Sequence, residues 1–232
     1  MSFLAPIAMP APLTARALEA IRCDILAARL APGETLSEAA TAARLGLGKA
    51  PVRAALARLG EEGLVQAVPR RGWVVSLVTI RDIHEVFDLR LLLEPEAARR
   101  AALNPLARAD AAALAQLDAV CAAGYRPEAA ETALGFLEAN RAFHVAVAGL
   151  SGNARLARQV GRLLDESTRM LVLGLRRRDR SGEMAHEHRA LIAALAAGDA
   201  PAAEARMQAQ VSASRDMVLA ALTAPDAAIS VS

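Results

Sequence analysis

Aromatic residues are scarce: one Trp, one Tyr and four Phe make up 3% of 232 residues. Strands draw on aromatic and β-branched side chains, whereas this chain is rich in alanine, the strongest helix former. A mainly α fold is expected and an all-β one excluded. Cysteine is as rare. Cys23 and Cys121 lie far apart with no CxxC spacing, which excludes a disulfide framework or a cysteine metal cluster and suits a reducing cytoplasm. No uncharged apolar run reaches the roughly eighteen residues of a membrane span. The first fifteen residues are apolar, but they hold three prolines and no basic segment, so they read as a loose arm rather than a signal peptide.

Lysine is almost missing too, with Lys49 alone among 27 basic residues. Arginine suits phosphate and base-edge contacts, although a GC-rich genome gives the same bias. The net charge of +2 is unevenly divided: residues 1–78 carry nine basic against six acidic side chains, and the remainder 18 against 19. The small surplus sits in the N-terminal third.

In that third, Leu18, Ile21, Ile25 and Leu26 recur at helical steps from Thr14, and the helix stops at Leu30-Ala31-Pro32-Gly33. Ser37 opens a second helix to Leu45, closed by Gly46. A third runs from about Lys49 to Glu62, with Pro51 in its first turn, where a missing N–H costs nothing. Leu64–Val68 and Trp73–Leu77 read as two strands around the basic turn Pro69-Arg70-Arg71-Gly72. Two short helices and a basic hairpin make a winged helix-turn-helix. Such a third helix fits the DNA major groove, with Arg53 one turn in and able to pair with a guanine. Lys49, Arg53, Arg58, Arg70, Arg71 and Gly72 are the candidate DNA-binding residues. The competing reading is a protein-binding module with incidental arginines.

These residues resemble the DNA-binding domain of GntR-type transcription regulators. Leu30-Ala31-Pro32-Gly33-Glu34-Thr35-Leu36-Ser37-Glu38 is similar to that family's opening motif, and Leu45–Leu59 to its recognition helix. Glu62-Gly63-Leu64-Val65 and Arg71-Gly72 complete the wing. The family's usual Ser-Arg, Thr and Glu are replaced by Gly48-Lys49, Ala50 and Ala54, which weakens the polar contact set and leaves the operator sequence open.

Breaks near Pro105, Pro127, Gly152, Gly182 and Gly198 divide residues 80–225 into six helix-length segments, as in a bundle. The expected organisation is an arm over 1–13, a winged helix over 14–78, a helical effector and dimerisation domain over 79–225, and a tail over 226–232. The bundle resembles the FCD domain of the FadR branch, in its six-helix, VanR-like group. The resemblance rests on Asp88–Glu94, Asn140–His144 with Ser151-Gly152-Asn153, and Glu187–Leu195 with Gly198-Asp199.

Many FCD domains hold a divalent metal with one Asp and three His. The resemblance places Asn140, His144, His188 and Gln210 at those positions. Two imidazoles and two amides bind a zinc- or nickel-like ion far more weakly than three imidazoles and a carboxylate. The favoured expectation is a metal-free polar pocket for an effector, and a metal on His144 and His188 is the lesser one. His186 points to another helix face. Satisfied core histidines with no ligand are the plain alternative. Arg90 either pairs with an effector carboxylate or with Glu94 one turn on, and Arg176-Arg177-Arg178 reads as a solvated helix end.

The expected protein is a cytoplasmic, homodimeric repressor. It would bind a short palindromic operator in double-stranded DNA, respond to a small carboxylate, and have no enzymatic activity and no membrane attachment. The rivals are a regulator whose bundle only dimerises, and a metal-dependent enzyme.

Overall fold

The structure is a computed structural model describing residues 12–126 and 130–223. The expected tail over 226–232 lies outside the described residues, as does the expected arm apart from Pro12 and Leu13. The fold is mainly helical, and the chain divides into two compact units, residues up to 77 without 26–28, and residues 26–28 with those from 78 onward.

In the first unit, α1 (Leu13–Leu26) buries Ala17, Leu18, Ile21 and Ile25. It ends short of the expected Leu30: Ala28 turns left-handed at φ 52°, and the amides of Arg29 and Leu30 fold back onto the Asp24 carbonyl. A two-residue strand β1 (Thr35–Leu36), too short to give an alternating pattern, precedes α2 (Glu38–Leu45). Ser37 caps α2 by accepting from the Ala40 amide at 3.0 Å, and Gly46 closes it at φ 62°. Next come α3 (Lys49–Glu61), β2 (Val65–Val68) and β3 (Gly72–Val75). The antiparallel sheet has the order β1-β3-β2, and its core joins Ile21, Leu36, Leu56, Leu59, Val65 and Val75. The wing is thus a three-stranded sheet rather than a bare hairpin.

The second unit holds six helices among the described residues: α4 (Ile80–Leu103), α5 (Pro105–Ala122), α6 (Ala130–Leu150), α7 (Ala154–Leu175), α8 (Ser181–Ala197) and α9 (Ala200–Thr223). Thr79 and Asp82 start α4 with a reciprocal capping box. α4 packs along α9 and also meets α6, α7 and α8, while α5 packs on α6 and α8. Phe87, Leu114, Phe143, Leu191, Val211 and Val218 fill the core. This arrangement turns one face of α4, α6, α8 and α9 toward a shared interior.

Candidate functional sites

On α3, Val52, Ala55, Leu56 and Leu59 are buried, so Lys49, Arg53 and Arg58 are left exposed on the other side. That division follows from the helical repeat. Arg53 is not idle. Its Nε donates to Glu38 Oε2 at 2.9 Å, and a second guanidinium nitrogen lies 2.8 Å from the same oxygen. The α2 carboxylate therefore orients the arginine, a feature the sequence reading missed.

Arg70 and Arg71 are exposed at the tip between β2 and β3. The Arg71 amide donates to the Val68 carbonyl at 3.0 Å, and Arg70 takes a left-handed φ of 66°. Gly72 is required in its place: φ is +86°, and a Cβ there would meet the Leu36 carbonyl oxygen at 2.9 Å. The glycine lets β3 lie against β1, which holds the arginine-bearing tip.

In the helical unit, Arg90, Asn140, His144, His188 and Gln210 are all buried. The two histidines lie close, with ring centroids 5.7 Å apart. His144 Nδ1 is 2.6 Å from Glu94 Oε2, while Arg90 Nε donates to Glu94 Oε1 at 2.6 Å and a second Arg90 nitrogen donates to Ser167 Oγ at 3.3 Å. Burial works to raise the Glu94 pKa, but Arg90 and His144 overcome it and hold the carboxyl down at about 2. Of the two roles open to Arg90, the pair with Glu94 is formed.

His188 stacks on Phe143 with centroids 3.9 Å apart, and its Nδ1 lies 3.1 Å from Asp118 Oδ1. Burial, then His144, pushes the His188 pKa down to about 3. Burial also raises Asp118. A neutral imidazole therefore donates from Nδ1 to Asp118, and Nε2 is the nitrogen left for a ligand. Glu94 constrains His144 in the same sense. Gln210 Nε2 donates to the Glu187 carbonyl at 2.9 Å. His186 is exposed, away from this cluster.

The four family-aligned side chains Asn140, His144, His188 and Gln210 offer two imidazole nitrogens and two amide oxygens but no carboxylate, and the neighbouring carboxylates Glu94 and Asp118 are engaged on the Nδ1 side of the two histidines. Among the described residues, no group of three or more His, Cys, Asp or Glu gathers to hold a metal ion. That donor set does not fit a tightly held zinc- or nickel-like ion. Asp118 and Ser167 escaped the sequence reading, since each joins the cluster through helix packing rather than local spacing.

Residues 13–75 match the bacterial regulatory proteins of the gntR family, and residues 85–213 match the FCD domain. The chain belongs to the GntR family. An HTH-type transcriptional regulator in the unstable DNA locus of Streptomyces ambofaciens is 33% identical over 190 residues, 81% of this chain and 77% of that protein. Over a shorter stretch, the Escherichia coli HTH-type transcriptional repressor RspR is 34% identical over 91 residues, 39% of this chain and 40% of its own length. The crystal structure of a GntR transcriptional regulator from Rhodococcus sp. RHA1 superposes with a TM-score of 0.69 at 25% identity, over 89% of this chain and 97% of that one. This GntR chain is thus a transcription regulator with a DNA-binding winged helix and an FCD domain. No helix among the described residues is long and apolar enough to cross a membrane.

Proposed function

We propose that the protein is a cytoplasmic, homodimeric repressor. It would bind a short palindromic operator and leave it when a small carboxylate enters the helical unit. The observation that carries the DNA half is the exposed row Lys49, Arg53 and Arg58 on an α3 whose other face is core. Lys49 and Arg53 lie in the first turns, the part of a recognition helix that reaches base edges in the major groove. Arg58, Arg70 and Arg71 supply backbone contacts, which set register and affinity without reading sequence. Repression is the reading favoured by the likeness to RspR.

A two-fold dimer accounts for a palindrome, because it presents two recognition helices to two half-sites. Leu89 and Leu92 on α4 are 49% and 69% exposed, an apolar face suited to a second copy. In the interior, buried polar groups that exceed what a packed core needs favour an effector over a bundle that only dimerises. A regulator without catalysis is preferred to a metal-dependent enzyme, since the histidine cluster lacks an anionic metal ligand.

Selection of bound duplexes from a random DNA pool, followed by gel-shift titration with the full chain, tests the reading. A palindromic consensus bound by a dimer is expected. Recovery of no consensus, with affinity independent of sequence, would overturn it.

A further inference from the structure

Arg180 stands just ahead of α8 and is 4% exposed, deep burial for an arginine. Its Nε donates to Glu183 Oε2 at 2.7 Å, and its Nη2 donates to Glu187 Oε1 at 2.7 Å. These two nitrogens form one edge of the planar guanidinium, so the glutamates close that edge and fix the plane. Nη1 is buried and has no hydrogen-bond partner. Buried polar groups are nearly always paired, and an unpaired guanidinium N–H is costlier than a neutral one.

Arg180 is also part of the wall of a cleft of about 390 Å³, the size of a small-molecule site. Arg177 and Arg178, from the end of α7, and Glu183, from the first turn of α8, complete that side. Across from them α9 presents Asp216 and the apolar Ala213, Met217 and Ala220. None of Asn140, His144, His188 or Gln210 lines the cleft. Its wall carries three guanidinium groups against two carboxylates, and the start of α8 adds the positive end of a helix dipole. Glu183 is moreover shared, since Arg178 Nη2 donates to its other oxygen at 2.8 Å. The arginine-bearing turn is held in place: the Arg178 amide donates to the Gly174 carbonyl at 3.1 Å, and the Tyr125 hydroxyl donates to the Leu175 carbonyl at 2.9 Å.

The donors that remain select among anions. A carboxylate is held best by two parallel N–H groups on one guanidinium edge, and on Arg180 the Nε–Nη2 edge is already taken. What is left are donors from separate guanidinium groups, which suit a tetrahedral oxyanion with oxygens pointing to several corners. The cleft is larger than a bare phosphate needs, and its α9 side is apolar. We propose that this cleft binds a phosphate monoester, with Arg180 Nη1 as the buried donor, Arg177 and Arg178 as the outer cations, and Ala213, Met217 and Ala220 against the ester group. The site is separate from the proposed effector pocket among the histidines and from the operator surface on α3.

The test is calorimetric titration of the full chain, in a buffer free of phosphate, with phenyl phosphate, benzoate and inorganic phosphate. Phenyl phosphate is expected to bind once per chain, at least tenfold more tightly than benzoate and more tightly than inorganic phosphate. Arg180→Gln should weaken it at least tenfold. Because Arg180 is buried and its replacement can unfold the chain, Ala220→Asp provides a second variant. It puts a carboxylate on an exposed position of the α9 wall and should weaken phenyl phosphate at least tenfold in a folded chain. The proposal is overturned if phenyl phosphate does not bind, if benzoate binds as well, or if Ala220→Asp binds like the parent. Inorganic phosphate binding as tightly as phenyl phosphate would make the cleft a simple anion site and overturn the monoester. The same variants are titrated with duplex DNA of unrelated sequence, which carries phosphate only as diesters. Duplex affinity that falls with Ala220→Asp, beside failed phenyl phosphate binding, would assign the arginines to the DNA backbone and overturn the proposal.

Discussion

Glu94 Oε2 lies 2.6 Å from His144 Nδ1, and the other oxygen of the same carboxylate takes the buried Arg90 guanidinium at 2.6 Å. One side chain therefore balances a buried cation and fixes the orientation of a buried histidine. Replacing it by Glu94→Gln keeps the shape but strands Arg90 as an uncompensated buried charge. Breaking a buried pair in this way costs about 3–5 kcal/mol. Urea unfolding followed by helical circular dichroism should show that loss in the helical unit. A loss under about 1 kcal/mol would mean that Arg90 finds another counter-charge.

His188 gives the stability a pH dependence of definite sign. Burial, then His144, holds its folded pKa at about 3, against roughly 6.5 for a free imidazole. As pH falls below about 6.5 the unfolded chain binds a proton that the folded chain refuses, so stability drops through the window from 6.5 to 3. The slope is at most about 1.4 kcal/mol per pH unit for one such group. Glu94, held at about 2, adds a further loss at lower pH, while Asp118 and Glu187, raised by burial, act in the opposite direction. Unfolding midpoints should fall between pH 7 and 5, and His188→Gln should flatten that change. An equally steep profile in the variant would assign the effect elsewhere.

Much of the DNA-binding unit is legible in the sequence because its signals are local. Ser37, Gly46 and Gly48 bracket short helices, and Val52, Leu56 and Leu59 mark the buried stripe. The β1 strand is not legible, since two residues carry no alternation and its pairing with β3 depends on Gly72. Within the helical unit, His144 and His188 could be placed by motif. Asp118 and Arg180 could not. Asp118 reaches His188 because α5 packs on α8, and the unmet nitrogen of Arg180 depends on where two glutamates of α8 point its guanidinium.

Arg53 should carry a large share of operator recognition. A bidentate arginine–guanine contact is worth about 1–3 kcal/mol of discrimination, so Arg53→Ala is expected to weaken a selected operator by about five- to 150-fold while the chain stays folded. Glu38→Gln tests the orienting contact. Losing the carboxylate that aligns Arg53 should reduce specific binding more than binding to random DNA. Gel-shift titration against both duplexes reads the ratio. An unchanged ratio in both variants would remove α3 from base recognition.

Gly72 supports the same surface from the sheet. A side chain there must be left-handed at φ +86° and must press on the Leu36 carbonyl oxygen at 2.9 Å. Gly72→Ala is expected to cost about 1–3 kcal/mol and to loosen the β1–β3 pairing that carries the Arg70–Arg71 tip. Amide exchange should quicken at β3, and operator affinity should fall without a change in sequence preference. Slow exchange at parental rates would mean that the strand accommodates the methyl group.

The amide pair Asn140 and Gln210 gives the histidine cluster a donor set that suits a zinc-like ion poorly, and that mismatch can be inverted. Both histidines already have the carboxylate support on Nδ1 that strengthens metal ligation through Nε2. What the set lacks is an anion and a third imidazole. Asn140→Asp with Gln210→His supplies both, so the double variant should bind zinc at least about tenfold more tightly than the parent, the scale on which ligand-shell changes act. Titration against a chromophoric chelator measures the difference, and elemental analysis of the purified variant gives the stoichiometry. One zinc per chain would place Asn140, His144, His188 and Gln210 around a common point. Unchanged zinc affinity in a folded double variant would show that the four side chains do not converge.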